Sequence, residues 1–302
     1  MSGSTAGASA IAAQPRLRAR QVAADYFDLT KPKVQSLLLL TTVTTMEVAG
    51  SPSVGRVALT CLGGYLAAGG AGAVNHYWDR DIDARMKRTA NRPVPSGRVS
   101  PRAALTFGFG LAAASFVLMT LTLNVLAASL ALGGFVGYVG VYTIGLKRRT
   151  PHNIVIGGAA GAMPPLVGWA ATRGSLSWTA VYLFAIVFYW TPPHFWALSL
   201  LMKDEYAEVG IPMLPVVKGE RETRRQILLY TLLLYAVTQL PFCSGAFGGV
   251  YLISSVVLGI GFIVGSVLLY RRADRRTALR LYLFSMLYLA LLFAAMVADA
   301  KL

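Results

Sequence analysis

Long runs of uncharged residues dominate this chain of 302 residues. A transmembrane helix needs roughly 20 apolar residues, because its backbone N–H and C=O groups must be satisfied within the segment. Uncharged runs occupy the ranges 34–46, 57–78, 103–146, 153–172, 174–202, 226–270 and 281–298. Two runs are long enough for two spans, with turns near Leu121 to Asn124 and at Ser244 to Gly249. We therefore predict an all-α integral membrane protein with nine transmembrane helices in a bundle.

The distribution of charge supports this count. The chain has 28 basic and 13 acidic residues, and the basic residues lie between the apolar runs rather than in a patch that would suit nucleic acid. Lys and Arg gather on the cytoplasmic side of membrane proteins. With the N-terminus inside, all the basic residues fall in inside segments except Arg56, Arg173 and Lys301. The prediction is a cytoplasmic N-terminus and a C-terminus on the outer side.

The first 33 residues differ in composition from the rest of the chain. They are rich in Ala, Gly and Ser and contain no apolar core of signal-peptide length, so we do not expect a cleaved secretory signal. An organelle transit peptide remains an alternative. We expect residues 1–33 to form a partly disordered cytoplasmic tail, in which residues 21–33 can form a short helix along the membrane surface. Residues 34–302 would form the transmembrane domain.

Charged clusters recur at a constant spacing. The acidic cluster Asp79/Asp81/Asp83 follows the second predicted span, and Asp204/Glu205/Glu208 follows the sixth. Asp79 and Asp204 are 125 positions apart, and the basic residues Lys147 and Arg271 are 124 positions apart. This pattern indicates a duplicated four-helix unit, whose even number of spans brings both acidic clusters to the same membrane face.

The first acidic cluster has the spacing of a metal site. Asn75, Asp79 and Asp83 follow one another at i, i+4 and share one helix face, where the carboxylates repel each other unless a cation neutralises them. Hard oxygen ligands of this kind suit Mg²⁺. Asp204 and Glu208 repeat the spacing, with Glu205 as a competing ligand, so the choice among these three carboxylates stays open. The alternative for both clusters is a solvated helix end.

Basic residues flank both acidic clusters. Two carboxylate rows with Lys and Arg beside them can hold a metal-bridged diphosphate. The predicted diphosphate-binding residues are Arg80, Lys87, Arg88, Arg92, Lys147, Arg148 and Lys203. The predicted metal ligands are Asn75, Asp79, Asp83, Asp204, Glu205 and Glu208, and the predicted catalytic residues are Asn75, Asp79, Asp83, Asp204, Glu208 and Lys147.

These motifs resemble those of a known family. The pattern NxxxDxxxD over residues 75–83, followed by RTANRPVPSG, is similar to that of the UbiA-type intramembrane prenyltransferases. Within that family, four further blocks resemble the branch that farnesylates heme: LTKPKV, YTIGLKRRTPHNIVIGG, TPPHFWALSL and YAEVGIPMLPVVKG. The resemblance covers nearly the whole chain. It implies a nine-helix bundle around a central cavity, Mg²⁺ as cofactor, farnesyl diphosphate as donor and the vinyl group of heme b as acceptor, giving heme O for terminal oxidase assembly.

Candidate residues for the two substrates are aromatic or histidine. His194 follows Pro192 and Pro193 inside the sixth predicted span, where an ionisable side chain is costly and suggests a site. It could ligate heme iron or orient the vinyl group; the alternative is a histidine bonded to a carbonyl that the prolines free. The other candidates for heme binding are His152 and Trp196, and those for shielding the prenyl cation are Tyr142 and Trp78.

Other functions remain open at this stage. The same metal site would serve a prenyltransferase acting on a quinone or chlorophyll-pathway precursor, and a heme-binding scaffold or a transporter would share several features. We expect a multi-pass protein of the cell inner membrane, with the mitochondrial inner membrane as the alternative. The expected partners are farnesyl diphosphate, heme b and lipid, with the next enzyme of heme A synthesis or oxidase assembly factors as candidate protein partners and no nucleic acid.

Overall fold

The computed structural model describes residues 14–302, with side chains from residue 19 onward. Within this range the secondary structure is helical and includes no strand. The helices are α1 Gln14–Leu29, α2 Pro32–Ala49, α3 Val54–Trp78, α4 Arg80–Asp83, α5 Pro101–Thr122, α6 Val125–Val136, the π-helix π1 Gly137–Leu146, α7 Asn153–Gly161, α8 Met163–Arg173, α9 Trp178–Leu201, α10 Lys203–Glu208, α11 Leu214–Val217, α12 Gly219–Cys243, α13 Gly249–Arg272 and α14 Arg275–Lys301. The prediction of an all-α fold is confirmed.

Seven stretches of the described chain are long and apolar enough to cross a membrane. They are α3, α5, α6 with π1, α7 with α8, α12, α13 and α14. Helices α2 and α9 pack into the same bundle, α2 against α8 and α9 against α12 and α14. The multi-pass architecture is therefore confirmed, and the exact count of nine spans stays a prediction.

Short polar turns divide the two double-length runs where the sequence predicts them. Helix α5 ends at Thr122, and Asn124 begins α6 by accepting a hydrogen bond from the backbone N–H of Ala127 at 2.8 Å. Such side-chain capping satisfies an N–H group that the first helical turn leaves free. The second run divides between Cys243 and Gly249. Both predicted turns are confirmed.

Glycines bring α3 and α5 into close contact. A Cβ atom added to Gly70 would lie 2.5 Å from the carbonyl oxygen of Gly108, and one added to Gly108 would lie 2.8 Å from the carbonyl oxygen of Gly70. Neither position accepts a larger residue without moving a backbone. Small residues at such crossings let membrane helices associate through close packing. This contact holds α3, which leads into the first acidic cluster, firmly against its neighbour.

The two acidic clusters follow long helices in the same way. Helix α3 leads into the short helix α4, and α9 leads into the short helix α10. Ile82 and Met86, near the first acidic cluster, belong to the same apolar core as Val209 and Ile211, which follow the second. A hydrogen bond of 3.1 Å from Arg85 Nη2 to the carbonyl oxygen of Val209 also joins the loops. Both acidic loops therefore lie on one side of the bundle, as the repeat predicts.

The N-terminal segment is helical over much of its described length. Helix α1 overlaps the surface helix predicted for residues 21–33, and α2 begins at Pro32. Asp25 of α1 is buried and pairs with Arg98 at 2.9 Å, which holds α1 against the loop before α5. The remainder of the predicted tail, residues 1–13, lies outside the described residues. The domain boundary at residue 34 stays a prediction.

Candidate active site

A row of three buried polar side chains runs from the end of α3 to the end of α4. Asn75, Asp79 and Asp83 expose only 3%, 1% and 4% of their surface. The Nδ2 atom of Asn75 donates a hydrogen bond to Oδ2 of Asp79 at 2.7 Å and another to Oγ1 of Thr143 at 3.2 Å. Asn75 and Asp79 therefore lie together as predicted, and the stacking of Asp83 on the same face stays a prediction. Because buried charges need compensation, the row must be neutralised by neighbouring groups.

Cationic side chains supply that compensation. Lys147 forms an ion pair with Oδ2 of Asp79, and Arg92 lies 2.7 Å from Oδ2 of Asp83. Arg148 lies 3.5 Å from Oδ1 of Asp79. All three were predicted from the sequence to bind diphosphate. They come from the loop after α4 and from the end of π1, so the cations surround the carboxylate row from two sides.

Lys31 is a fourth cation at this site, and the sequence reasoning assigned it no role. Its Nζ atom lies 2.5 Å from Oδ1 of Asn75 and 5.8 Å from the ring centroid of Tyr138. Burial lowers the pKa of Lys31 to about 7, with the neighbouring charges of Arg92 and Lys147 acting in the same direction. The sequence feature that could have identified Lys31 as a site residue is its position directly before Pro32, where a span begins.

Arg148 has a second, stronger carboxylate partner. Its two terminal nitrogens donate hydrogen bonds of 2.7 and 2.8 Å to the two oxygens of Asp81. This bidentate pair lowers the pKa of the Asp81 carboxyl and raises that of Arg148. Asp81 was predicted only as part of the acidic cluster. In the structure it anchors Arg148 close to Asp79, at the edge of the site.

The π-helix explains why the cavity tyrosines and Lys147 lie together. An α-helix turns about 100° per residue, so Lys147 would lie on the opposite side from Tyr138, nine positions earlier. The i to i+5 hydrogen bonding of a π-helix reduces the turn per residue, and the N–H of Lys147 bonds the carbonyl oxygen of Tyr142 at 2.8 Å. As a result Tyr138 lies beside Lys31, Thr143 contacts Asn75 and Lys147 pairs with Asp79.

A cavity of about 290 Å³ extends from Lys31 into the bundle. Its walls are mostly apolar and come from α2, α3, α6, π1, α7, α8, α9 and α14. Tyr138 and Tyr142 line it near the carboxylate row, and His194 and Phe195 line it farther along α9. An apolar cavity that meets a charged site suits a substrate with a hydrocarbon body and an anionic group.

His194 is held between two aromatic rings. Its imidazole stacks on Trp190 with centroids 4.3 Å apart and on Tyr282 with centroids 4.8 Å apart. Its Nδ1 atom lies 2.7 Å from the hydroxyl oxygen of Ser285. The alternative of a histidine bonded to a freed carbonyl does not describe this contact, because the partner is a hydroxyl group. The residue is 7% exposed and lines the cavity.

The second acidic cluster is more exposed than the first. Asp204 and Glu208 are exposed, whereas Glu205 is half-buried and its Oε2 atom is buried without a hydrogen-bond partner among the described residues. Lys203, predicted to bind diphosphate, lies 3.1 Å from Glu220 instead. Glu205 is therefore the carboxylate of this cluster whose surroundings best fit a ligand role. The six predicted metal ligands are not gathered into one group within the described chain, which holds no cluster of three acidic, His or Cys side chains placed to bind an ion.

The residues of the first cluster fit a hard divalent cation by their chemistry. Oδ1 of Asp79 is buried and accepts no hydrogen bond from the described residues, and its nearest cation is Arg148 at 3.5 Å, so it has a free lone pair for a ligand role. Oδ1 of Asn75 faces a lysine ammonium, a cation that occupies part of the space a metal ion would use. Carboxylate and amide oxygens are the ligands that Mg²⁺ prefers.

Several predicted residues lie away from the cavity. Arg80 is exposed and bonds the carbonyl oxygen of Tyr77, and Lys87 and Arg88 are exposed in the loop after α4. His152 is exposed before α7. In the part of the chain that the structure describes, the cavity wall includes neither Trp78 nor Trp196. Trp196 is buried against Tyr230 at a centroid distance of 5.2 Å, and the carbonyl oxygen of Trp78 accepts a hydrogen bond from Arg148.

Comparison with known proteins agrees with this geometry. The model of the UbiA prenyltransferase family matches residues 37–292. A protoheme IX farnesyltransferase of Chloroflexus aurantiacus is 56% identical over 282 residues, which are 93% of this chain and 48% of that protein. The protein of the same name from Symbiobacterium thermophilum is 52% identical, with 95% of this chain and 97% of that protein covered. The chain thus spans about half the length of the Chloroflexus relative and nearly all of the Symbiobacterium one.

Solved structures share the fold. A digeranylgeranylglyceryl phosphate synthase matches with a TM-score of 0.78 and 20% identity, covering 93% of this chain and 100% of that one. A UbiA homolog from Archaeoglobus fulgidus, bound to GPP and Mg²⁺, matches with a TM-score of 0.65 and 16% identity. The match covers 90% of this chain and 99% of that one. At these identities the comparison establishes the common architecture of the bundle.

Proposed function

The chain belongs to the UbiA prenyltransferase family, and from this premise we propose that it transfers the farnesyl group of farnesyl diphosphate to the vinyl group of protoheme IX, giving heme O. One observation carries the proposal: an apolar cavity reaches Lys31, whose ammonium group contacts Asn75 in a buried carboxylate row flanked by cations. Relatives named protoheme IX farnesyltransferase, 52% and 56% identical to this chain, support heme as the acceptor.

The diphosphate would bind beside the carboxylate row. Bound Mg²⁺ supplies charge neutralisation of the diphosphate oxygens, and Asn75, Asp79 and Asp83, with Glu205 from the second cluster, would hold it. The Archaeoglobus fulgidus homolog bound to GPP and Mg²⁺ supports a divalent cation in this fold. Without a cation the carboxylates would repel the diphosphate by roughly 4 kcal/mol per pair of unit charges at 4 Å and an effective dielectric constant of 20.

Lys147, Arg148 and Arg92 act on the leaving group. The allylic C–O bond breaks and its electron pair leaves with the diphosphate, whose added negative charge these cations stabilise. The farnesyl cation that remains needs shielding from water. The face of Tyr142, at the junction of the carboxylate row and the cavity, can provide this by cation–π attraction.

The acceptor would lie in the apolar part of the cavity. The heme vinyl group attacks C1 of the farnesyl cation and forms the new C–C bond. Water then adds to the cation left on the heme side and releases a proton, which yields the hydroxyethylfarnesyl group. The mostly apolar cavity wall supports exclusion of bulk water until that last step.

We also propose that the protein works in the bacterial inner membrane, with its N-terminus in the cytoplasm. The uneven distribution of the 28 basic residues supports this orientation. In it, the two acidic loops lie at the cytoplasmic end of the bundle, on the side where a water-soluble diphosphate is available. The orientation is tested with variants that carry a single cysteine, either in the loop before α5 or in the loop after α8. A membrane-impermeant maleimide should label only the cysteine in the loop after α8 in intact cells.

Reconstitution tests the reaction. The protein in liposomes is incubated with heme b, farnesyl diphosphate and Mg²⁺, and the products are identified by mass spectrometry. We expect farnesylated heme that disappears with EDTA and in Asp79→Ala. Prenylation of an aromatic quinone precursor while heme stays unmodified would contradict the acceptor assignment. Transfer to none of the acceptors would instead favour a heme-binding scaffold or a transporter.

A further inference from the structure

Ser285 on α14 makes hydrogen bonds to two of the three rings of the His194 stack, those of His194 and Trp190. Its hydroxyl oxygen lies 2.7 Å from Nδ1 of His194, and its backbone carbonyl oxygen accepts a hydrogen bond of 2.7 Å from Nε1 of Trp190. Ser285 is fully buried. One residue on a neighbouring helix therefore sets the orientation of the imidazole and of the indole that covers one of its faces.

The hydroxyl proton of Ser285 is donated to a backbone carbonyl group and is not available to His194. Its Oγ atom donates to the carbonyl oxygen of Tyr282 at 2.6 Å, and a hydroxyl group has a single proton to donate. Toward His194, Ser285 therefore acts as the acceptor, and Nδ1 of His194 carries the proton. In a neutral imidazole this leaves Nε2 with the free lone pair.

The remaining edge of the imidazole is the part that meets the cavity. Trp190 and Tyr282 cover the two ring faces, Ser285 occupies the Nδ1 edge, and Nε2 has no hydrogen-bond partner among the described side chains. His194 nevertheless lines the cavity. A histidine whose Nδ1–H is hydrogen-bonded and whose Nε2 is free has the arrangement of a metal-ligating histidine.

We propose that Ser285 is a positioning residue for the heme acceptor: it holds His194 in the tautomer that directs the Nε2 lone pair to the heme iron. This inference rests on the proposed function, because heme is the substrate it assigns to the cavity. The hydroxyl of Ser285 acts through His194 and does not touch the substrate itself. Its contribution is to fix the ring orientation and to increase the basicity of Nε2.

The test measures heme binding separately from farnesyl transfer. Heme b is titrated into the reconstituted protein without farnesyl diphosphate, and the Kd is taken from the Soret absorbance. For Ser285→Ala we expect binding weaker by about 10- to 100-fold, the range for loss of a hydrogen bond to a metal-ligating histidine. Ser285→Thr keeps the hydroxyl group and should restore binding. The iron–histidine stretching band of the ferrous complex should shift in Ser285→Ala and return in Ser285→Thr.

Ser255→Ala is the matched control. Ser255 is also a buried helix serine that bonds the carbonyl oxygen three residues earlier, at 2.9 Å, but it lies on α13 away from the cavity wall. We expect unchanged heme affinity and an unchanged stretching band in this variant. If Ser285→Ala fails to fold, Ser285→Cys replaces the hydroxyl by a weakly hydrogen-bonding thiol of similar size and should give the same loss.

The outcomes separate this inference from the proposed function. Equal affinity and an equal stretching band in wild type and Ser285→Ala would overturn the positioning role, even if farnesylated heme forms. The lack of an iron–histidine band in the wild type would overturn it too. Weaker heme binding in Ser285→Ala with a shifted band, in a protein that farnesylates a different acceptor, would support the positioning role and contradict the proposed function.

Discussion

The ammonium group of Lys31 lies 2.5 Å from the amide oxygen of Asn75, 44 positions later in the chain. Lys31 directly precedes α2, and Asn75 lies near the end of α3, so the contact joins the first two long helices of the bundle. The amide oxygen is the atom that Asn75 would present to a metal ion. Lys31 thus occupies a position where it competes with a cation in the free protein and can contact a bound diphosphate.

Replacing Lys31 should therefore affect metal and donor in opposite directions. We expect Lys31→Gln to bind Mn²⁺ about tenfold more tightly in the absence of farnesyl diphosphate, because the competing ammonium group is gone. A tenfold change in affinity corresponds to about 1.4 kcal/mol. The KM for farnesyl diphosphate should rise. Mn²⁺ titration followed by EPR and steady-state kinetics measure the two effects. Lys33→Gln, an exposed lysine two positions along, is the control and should change neither quantity.

Lys147 and Lys203 should contribute unequally to activity, although both were predicted to bind diphosphate. Lys147 pairs with the buried Asp79, whereas Lys203 pairs with the half-exposed Glu220 at 3.1 Å. We expect Lys147→Gln to lower kcat by about 100-fold or more, the range for removing one preorganised electrostatic donor. Lys203→Gln should change it by less than about threefold, since exposed ion pairs contribute little. An equal decrease in kcat in the two variants would contradict the placement of the diphosphate beside Lys147.

Gly157 sets the position of Tyr142. A Cβ atom added to this glycine would lie 2.4 Å from Cδ2 of Tyr142, so the ring, which lines the cavity, must move. Gly157→Ala should raise the KM for farnesyl diphosphate and destabilise the fold by about 1–3 kcal/mol, the usual cost of overpacking. Gly110→Ala on α5 has no heavy atom within 4 Å of its new Cβ and serves as the control. An unchanged KM in Gly157→Ala would contradict a role for Tyr142 in the cavity.

Asp274 caps α14 and should make stability depend on pH. Its carboxylate accepts hydrogen bonds from the N–H and hydroxyl of Thr277, at 2.8 and 2.6 Å, which lowers the pKa of Asp274 below its usual 3.8. A lowered pKa means that the stabilisation is complete above the unfolded value and is lost as the pH falls through the folded one. Asp274→Ala should thus lower Tm at pH 6, and the difference from wild type should shrink below pH 3.8.

Asp274→Asn is the control for that measurement. Asparagine caps helices about as well as aspartate but does not titrate. Because the lowered pKa means that the charged carboxylate stabilises the fold more than a neutral acceptor does, we expect a Tm between those of wild type and Asp274→Ala at pH 6. If Asp274→Asn and Asp274→Ala lowered Tm equally at pH 6, the carboxylate charge rather than the capping hydrogen bond would account for the stabilisation.

Local patterns in the sequence were sufficient to predict the helices and the first acidic row. The turns at residues 123–124 and 244–248 were predicted because uncharged runs too long for one span must divide where polar or glycine residues occur. Asn75, Asp79 and Asp83 were predicted to share a face because the α-helical repeat depends only on neighbouring residues. The repeat of acidic clusters likewise indicated that both would meet on one side of the bundle.

Contacts between distant positions decided the rest. Lys147 and Asp79 are 68 residues apart and meet because π1 departs from the α-helical repeat, which the composition of residues 137–146 does not reveal. His194 was a candidate from sequence, but Ser285, 91 residues away, was not, since nothing in its neighbourhood distinguishes it from other helix serines. The sequence alone determined that the chain is all-helical and crosses the membrane several times, because hydrophobicity and periodicity are local. Only the tertiary structure determined which side chains neutralise, orient and enclose the site, because those partners depend on how the helices pack.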